Sequence, residues 1–549
     1  MQKFILLISL FSAPLFSQPN VVIILTDDLG WGDVSYHGGH IPTPNMDALA
    51  SKGLELNRFY ANPVCSPTRA SLLTGLHIFN HGVLRPFQNP TAEQFGLSPD
   101  LKIMPQYFRE AGYQTALSGK WHLGMHDEAF WPTNRGFDTS YGHMLGGIGY
   151  FDHVAAKRVD WHRNEEPLIE EGYSTTLIAD EAVRIIENKD LDRPLFLYVA
   201  FNAPHTPIQA PSSNIESFSY IKDPLIRAYA ANVNALDTEI GKIIKSIENQ
   251  GLLEETIIVF FSDNGPVVDI NPIIATLAPG LTKSKGNTAG LKGSKTSALE
   301  GGVRVPASIW WRGVIENSVT DQFMFVQDLL PTLLSAAGIE VDKSVSFDGS
   351  DKWKNLMDGE ITPPDNDFIG AQIVFDERAL YKDEWKLHFR KPVMFPGSNG
   401  TYSLFNIIDD PFESNDLAKI ELKVFEDMTT YMQNIDESKG MPLINPAHTY
   451  FYGDSEGGEV IGRPWLDRDY EISEYPSPVA SFFIMLWVII LSFKYYLLAF
   501  FLAISLTIYA IKRFKTARKI HKHHQNPSAA IFERSLRNRH NQCSIKSLI

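Results

Sequence analysis

Four short polar clusters each follow an apolar, β-branched run. Asp27-Asp28 follows Asn20–Leu25, and Ser118-Gly119-Lys120-Trp121-His122 follows Tyr113–Leu117. Asn202-Ala203-Pro204-His205 follows Leu195–Ala200, and Ser262-Asp263-Asn264-Gly265 follows Thr256–Phe261. Runs of this length bounded by turn residues read as buried strands. Asp27, Asp28, Asp263 and Asn264 offer hard oxygen donors, which suit Ca²⁺ or Mg²⁺ rather than zinc. Two adjacent carboxylates at a strand end repel each other unless a cation sits between them. Lys120, His122, His205, Lys292, Lys295 and Arg304 add cationic or proton-transferring groups. Such groups beside a divalent metal make sense when an anionic group lies between them. Taken singly, each cluster also reads as a helix cap or an Asp-Asn-Gly turn. Four together argue for a site.

A fifth segment is Cys65-Ser66-Pro67-Thr68-Arg69-Ala70-Ser71-Leu72-Leu73-Thr74-Gly75. Pro67 marks a helix start, and a helix N-terminus favours anions and lowers a thiol pKa. Arg69, four residues on, shares the face of Cys65. This spacing suggests a reactive cysteine beside an anion site; the alternative is a buried structural cysteine.

The strands alternate with helix-like stretches at Thr43–Lys52, Leu101–Ala111, Ser174–Asn188 and Leu225–Asn249. That alternation predicts an α/β layer fold with a mostly parallel sheet. In such sheets ligands gather beyond the carboxyl ends of the strands, where the polar clusters fall. The expected catalytic domain spans 18–365. A smaller α+β subdomain over 366–450 has strand candidates at Gln372–Phe375, Trp385–Phe389 and Tyr402–Phe405, and a helix near Leu417–Asn434.

With 44% hydrophobic and 21% charged residues among 549, the chain is globular in composition. Its net charge of −15 is unevenly placed. From Lys512 onward there are ten Lys/Arg and one acidic residue, which leaves 39 basic against 63 acidic residues elsewhere. So acidic a body excludes a nucleic-acid partner. Two cysteines, Cys65 and Cys543, exclude a disulfide scaffold. Met1–Ser17 reads as a signal peptide. After a linker at 451–478, residues 479–511 carry one charge, Lys494, and read as a transmembrane segment. The basic tail at 512–549 then lies in the cytoplasm. The expected protein is exported and membrane-anchored, with its catalytic domain on the periplasmic or extracellular side.

The Cys-Ser-Pro-Thr-Arg segment with its trailing Ala-Ser-Leu-Leu-Thr-Gly resembles the sulfatase signature. Asp27-Asp28, Gly119-Lys120-Trp121-His122-Leu123-Gly124, Arg135-Gly136-Phe137-Asp138, Ala203-Pro204-His205, Ser262-Asp263-Asn264-Gly265 and Glu300-Gly301-Gly302-Val303-Arg304-Val305-Pro306 appear in sulfatase order. The resemblance is to the arylsulfatase B-like group, including bacterial polysaccharide sulfatases. It implies an alkaline-phosphatase-like fold: a large, mostly parallel mixed sheet flanked by helices. It also implies that a sulfatase-maturing enzyme converts Cys65 to formylglycine. Asp27, Asp28, Asp263 and Asn264 would bind one Ca²⁺ (Mg²⁺ is possible), with modified Cys65 as a further ligand. Arg69 would hold the formylglycine hydrate, and Lys120 and Lys295 would clamp sulfate. Lys295 fits the family spacing better than Lys292. His122 would assist the hydrate hydroxyls, and His205 would protonate the leaving alcohol.

The implied substrate is a sulfated carbohydrate, such as an oligosaccharide of the ulvan or carrageenan kind. The loop from Gly146 to Arg163, with Tyr150, Phe151, His153, Asp160, Trp161 and His162, reads either as a sugar grip or as a packed loop. Competing readings are a phosphonate monoester or phosphodiester hydrolase, and an inactive glycan-binding protein on the same fold.

Overall fold

The computed structural model describes residues 18–87, 96–125, 127–155, 158–268, 285–372, 375–392 and 399–439, together with Ile504, Ser505 and Tyr509. The expected signal peptide and linker lie outside the described residues. So do the expected membrane segment and basic tail, those three residues apart. Among the described residues no helix is long and apolar enough to cross a membrane. The chain divides into two compact units, Met1–Tyr475 and Pro476–Ile549, and all the strands among the described residues lie in the first.

The main sheet has ten strands. From one edge to the other they are Ser318–Thr320, Leu54–Leu56, Ala307–Trp310, Thr256–Ser262, Asn20–Thr26, Leu195–Ala200, Gln114–Lys120, Thr139–His143, His162–Arg163 and Glu166–Pro167. The five strands from Thr256–Ser262 to Thr139–His143 are mutually parallel. Asn20–Thr26, fifth of the ten, has a parallel neighbour on each side and is buried along its whole length, which is why it reads as unbroken apolar sequence and not as an alternation. The pairings beyond them are antiparallel, except that Ser318–Thr320 runs parallel to Leu54–Leu56.

Register fixes the site. Thr26 stands opposite Ser262, Leu25 opposite Ala200, and Ala200 opposite Gly119. The residues that follow, Asp27, Asp263, Asn202 and Lys120, therefore emerge at one carboxyl edge. The flanking helices run Pro44–Lys52, Met104–Glu110, Ser174–Glu187 and Pro224–Asn249. The second is shorter than expected. Pro105 sits in its first turn, and the Ile103 N–H is taken by Gln106 Oε1 at 2.8 Å, so the helix starts there.

The smaller region is a four-stranded antiparallel sheet of Asp365–Gln372, Phe375–Lys382, Trp385–Pro392 and Thr401–Asn406. The helix Leu422–Lys439 covers one face, with Met428 and Met432 packed on Phe368, Leu380, Leu387 and Leu404. The other face presents Ile369, Ala379 and Tyr381 to Tyr60, Val303 and Phe325 of the larger region. The strand expected at Gln372–Phe375 is corrected: Gln372 ends one strand and Phe375 begins the next. Asp365, Asn366, Asp367 and Gly370 disguise the first strand, because such residues are depleted in strands.

Candidate active site

Asp27 and Asp28 leave the central strand, and Asp28 adopts φ 69°, a left-handed conformation that aspartate tolerates. Its N–H donates to Asp263 Oδ1 at 3.3 Å. The Asp263 N–H in turn donates to the Thr26 carbonyl at 2.9 Å, which ties the two strand ends together. Cys65 begins the helix Cys65–Thr74, every residue of which is buried. Thus Arg69, one turn in, points its guanidinium into the protein.

Three close ion pairs result, and Arg69 Nη2 also lies 3.9 Å from Asp27 Oδ2. Lys120 Nζ lies 2.5 Å from Asp27 Oδ2, Lys295 Nζ 2.6 Å from Asp28 Oδ1, and Arg69 Nη2 2.8 Å from Asp263 Oδ2. The carboxylates and Arg69 and Lys120 are excluded from solvent, and Lys295 is buried. Asn264 Nδ2 also donates to Asp28 Oδ1 at 2.7 Å. Burial pushes the Asp28 carboxyl up, but Lys295 and His205 outweigh it and hold Asp28 below its ordinary range. Asp263 goes the other way: burial, with Asp27 close by, raises it despite Arg69. Lys295 is penalised by burial yet raised by Asp28 and its neighbours, so it stays charged.

What the pairs leave over is informative. Asp27 Oδ1, Asp28 Oδ2 and Asn264 Oδ1 are buried with no hydrogen-bond partner. Buried polar atoms are normally satisfied, so orphaned acceptors in one cluster call for a cation. Ligand atoms of Asp27, Cys65 and Asp263 lie within 4.8 Å of one another, as do those of Asp27, Asp28 and His205. The donor set is hard oxygen and fits Ca²⁺ or Mg²⁺. Only the Cys65 sulfur is soft. The thiol also departs from the expectation of an activated cysteine. Burial raises its pKa above the ordinary value despite Lys120 and Lys295. As a thiol, Cys65 is a poor nucleophile here.

Each histidine's tautomer is set by a backbone carbonyl, which can only accept a hydrogen bond. His122 Nε2 lies 3.0 Å from the Phe87 carbonyl and carries the proton, so Nδ1 is a bare lone pair with no partner. Burial, with Lys120 and Arg69 near, holds this imidazole well below its ordinary range. His205 Nδ1 donates to the Thr206 carbonyl at 2.7 Å, leaving Nε2 bare and 3.8 Å from Asp28 Oδ2. Burial and Lys295 lower its pKa too.

The structure thus gathers Asp27, Asp28, Cys65, Arg69, Lys120, His122, His205, Asp263, Asn264 and Lys295. It removes two other cations. Lys292 Nζ donates to the Glu413 carbonyl at 3.0 Å, and Arg304 binds Asn57 and lies 4.4 Å over the Trp31 ring. Most of the 146–163 loop is packed: His153, Asp160, Trp161 and His162 are buried. The Asp160 carboxylate accepts the N–H groups of Met144 and Leu145 at 2.9 and 2.7 Å.

Sequence reasoning missed the clamp on the Lys295 segment. Glu377 accepts from Ser297 Oγ at 2.9 Å and from the Ala298 N–H at 3.1 Å, and Glu413 accepts the Glu300 N–H at 2.8 Å. Lys386 lies 2.9 Å from Glu300 and 2.8 Å from Glu413. These are ordinary charged residues of the smaller sheet and its following loop, with no local motif to mark them.

Comparison with known proteins agrees with this geometry. The family model for sulfatases matches residues 19–339. Mouse arylsulfatase J is 33% identical over 63% of this chain, and the match spans 57% of that protein's length. Human N-acetylgalactosamine-6-sulfatase is 32% identical over 69% of this chain and 75% of its own. The crystal structure of Ps i-CgsB in complex with k-i-k-neocarrahexaose superposes with a TM-score of 0.67 at 29% identity, covering 78% of this chain and 94% of that one. The chain belongs to the sulfatase family of sulfuric ester hydrolases.

Proposed function

We propose that this protein hydrolyses sulfate esters of a sulfated carbohydrate, with an oxygen nucleophile made from Cys65 and a divalent cation held by Asp27, Asp28, Asp263 and Asn264. The observation that carries the reading is the mismatch at position 65. A buried thiol, raised in pKa, lies with carboxylate oxygens of Asp27 and Asp263 within 4.8 Å of one another, and Asp27 Oδ1 lacks a hydrogen-bond partner. Conversion of Cys65 to formylglycine by a maturing enzyme would replace sulfur by the oxygen of a hydrated aldehyde, the nucleophile this surrounding suits. The cation, Ca²⁺ by donor type, would supply Lewis-acid stabilisation of charge on oxygen.

The chain's own groups divide the remaining work. Lys120, Lys295 and Arg69 present positive charge, desolvated and fixed in place, to the oxygens of a bound ester. His122 Nδ1, a bare acceptor, would take a proton from an oxygen carried at position 65. His205 Nε2 is the corresponding group on the leaving side. It must first gain a proton, which an anion beside it favours.

A carbohydrate substrate is supported by the glycan bound in the Ps i-CgsB structure. That comparison favours a carrageenan-type galactan over ulvan. Export through a Met1–Ser17 leader, anchoring by 479–511 and display on the periplasmic or extracellular side belong to the same proposal. They rest on those apolar runs and the basic flank.

The test is co-expression with a maturing enzyme, mass spectrometry of the peptide containing Cys65, and sulfate release from carrageenan oligosaccharides, ulvan oligosaccharides, 4-nitrophenyl sulfate and a phosphonate monoester. Aldehyde at position 65 with sulfate release from a glycan is expected. A persistent thiol, or faster turnover of the phosphonate, contradicts the proposal.

A further inference from the structure

The segment Gly146–Phe151 lies against both proton-handling histidines. A Cβ placed on Gly146 would stand 2.6 Å from His122 Cε1 and 2.7 Å from its Nε2. One on Gly147 would stand 2.9 Å from His205 Nδ1 and 3.0 Å from the Thr206 carbonyl oxygen. These are the nitrogens and the carbonyl that fix the His122 and His205 tautomers. Neither glycine has a positive φ. Their lack of a side chain therefore serves proximity and not backbone conformation.

The chain then makes a tight turn. The Gly149 N–H donates to the Val154 carbonyl at 2.9 Å, and the His153 N–H donates to the Gly149 carbonyl at 3.0 Å. Tyr150 fastens the turn to the leaving-side histidine. Its hydroxyl donates to the His205 carbonyl at 2.8 Å, and its N–H donates to Gln209 Oε1 at 2.7 Å. Phe151 comes next. It is 48% exposed, with its ring centroid 5.2 Å from that of Tyr173 and the two rings tilted by 42°. A single exposed apolar side chain is ordinary on a mobile loop. Here the preceding residue is tied to the His205 backbone, and Tyr173 lies against the ring, so Phe151 is an exposed aromatic on a fastened turn.

We propose that Gly146–Phe151 forms the leaving-group wall of the site. Gly146 and Gly147 seat the two imidazoles, and Phe151 is a specificity-determining residue whose ring stacks on a sugar of the leaving alcohol. This rests on the carbohydrate ester reading above. A small aryl leaving group ends short of the rim, so only an extended glycan engages Phe151.

The test uses the matured enzyme with its cation, steady-state kinetics on a sulfated carrageenan oligosaccharide and on 4-nitrophenyl sulfate, and the variants Phe151→Ala, Phe151→Trp and Gly147→Ala. Phe151→Ala should raise KM for the oligosaccharide about tenfold and leave the aryl ester within twofold. Phe151→Trp should restore the oligosaccharide KM. Gly147→Ala should lower kcat on both substrates about tenfold with an unchanged melting temperature. Equal effects of Phe151→Ala on both substrates, or none on either, overturn the assignment of the ring. An unchanged kcat in Gly147→Ala overturns the seating role. A wild type active on the aryl ester and on no sulfated oligosaccharide overturns this proposal while the esterase reading stands. Activity on neither overturns that reading itself.

Discussion

Two clusters of buried charge lie close together in the chain, and they are built differently. At the reaction centre Asp27, Asp28 and Asp263 face Lys120, Lys295 and Arg69, pair by pair, with Asp27 Oδ1, Asp28 Oδ2 and Asn264 Oδ1 left without partners. Five residues beyond Lys295, Glu300 and Glu413 share Lys386. There Tyr60 and Tyr381 donate to Glu300 at 3.1 Å each, and Glu413 takes the Glu300 N–H. The second cluster joins the two sheets, and its oxygen without a hydrogen bond, Glu413 Oε1, is faced by the Lys386 ammonium at 2.8 Å. The first keeps oxygens in reserve. A buried ion pair is weak evidence of stability in either case. The partners each cluster lacks, more than its charge, separate a site from a brace. At the centre the pairs balance: a divalent cation can take the carboxylates and a sulfate dianion the lysines and arginine, with no change in net charge.

Substitutions on either side should separate the two roles. Asp263→Asn removes the charge that holds Arg69 and one of the carboxylates proposed to hold the cation. We expect it to lower kcat/KM at least a thousandfold, or about 4 kcal/mol, while the protein stays folded. Lys386→Met should do the reverse. It leaves Glu300 and Glu413 buried without a cation, at a cost of about 3–5 kcal/mol in denaturant unfolding, while kcat of the folded fraction stays within about fivefold. If Lys386→Met were instead stable and inactive, the distinction between the clusters would collapse.

Much of the centre is legible in the sequence, because each strand end is local. An apolar run followed by Asp27-Asp28 or Asp263-Asn264 announces both the strand and its cargo, and Cys65-Ser66-Pro67-Thr68-Arg69 announces a helix start. Register does the rest. The brace is not legible. Glu300 and Lys386 are 86 positions apart and meet only because the small sheet packs on Tyr60 and Phe325. The strands Ser318–Thr320, at the sheet edge, and Leu54–Leu56, next to it, are too short to carry a period. The sequence also suggests an activated thiol at a helix N-terminus, and burial of Cys65 overrides that local argument.

A third, graded contrast concerns pH. Asp33 is buried near the centre, where it accepts from the Tyr229 hydroxyl at 2.6 Å and from the N–H groups of Gly30 and Asn287. Burial outweighs these donors and raises its pKa to about 7. The folded state therefore holds a proton that the unfolded chain, with a pKa near 3.9, gives up earlier. The stabilisation is whole below about pH 4 and is lost as pH rises to about 7, with a slope of at most about 1.4 kcal/mol per pH unit. Urea unfolding of wild type and Asp33→Asn across that range checks it; the difference between them should narrow at low pH. A parallel pair of pH curves would show that Asp33 does not titrate on folding.

The most direct test of the exchangeable centre is calorimetric titration of Ca²⁺ into the protein bearing unmodified Cys65, with and without inorganic sulfate, and of sulfate with and without Ca²⁺. Because either ion alone leaves uncompensated buried charge, we predict that each raises the affinity of the other at least tenfold, by the same factor in both directions. Lys386→Arg, in the brace, should leave that factor unchanged. Independent binding of the two ions, within twofold, would contradict the claim that the three pairs at the centre are held to be exchanged.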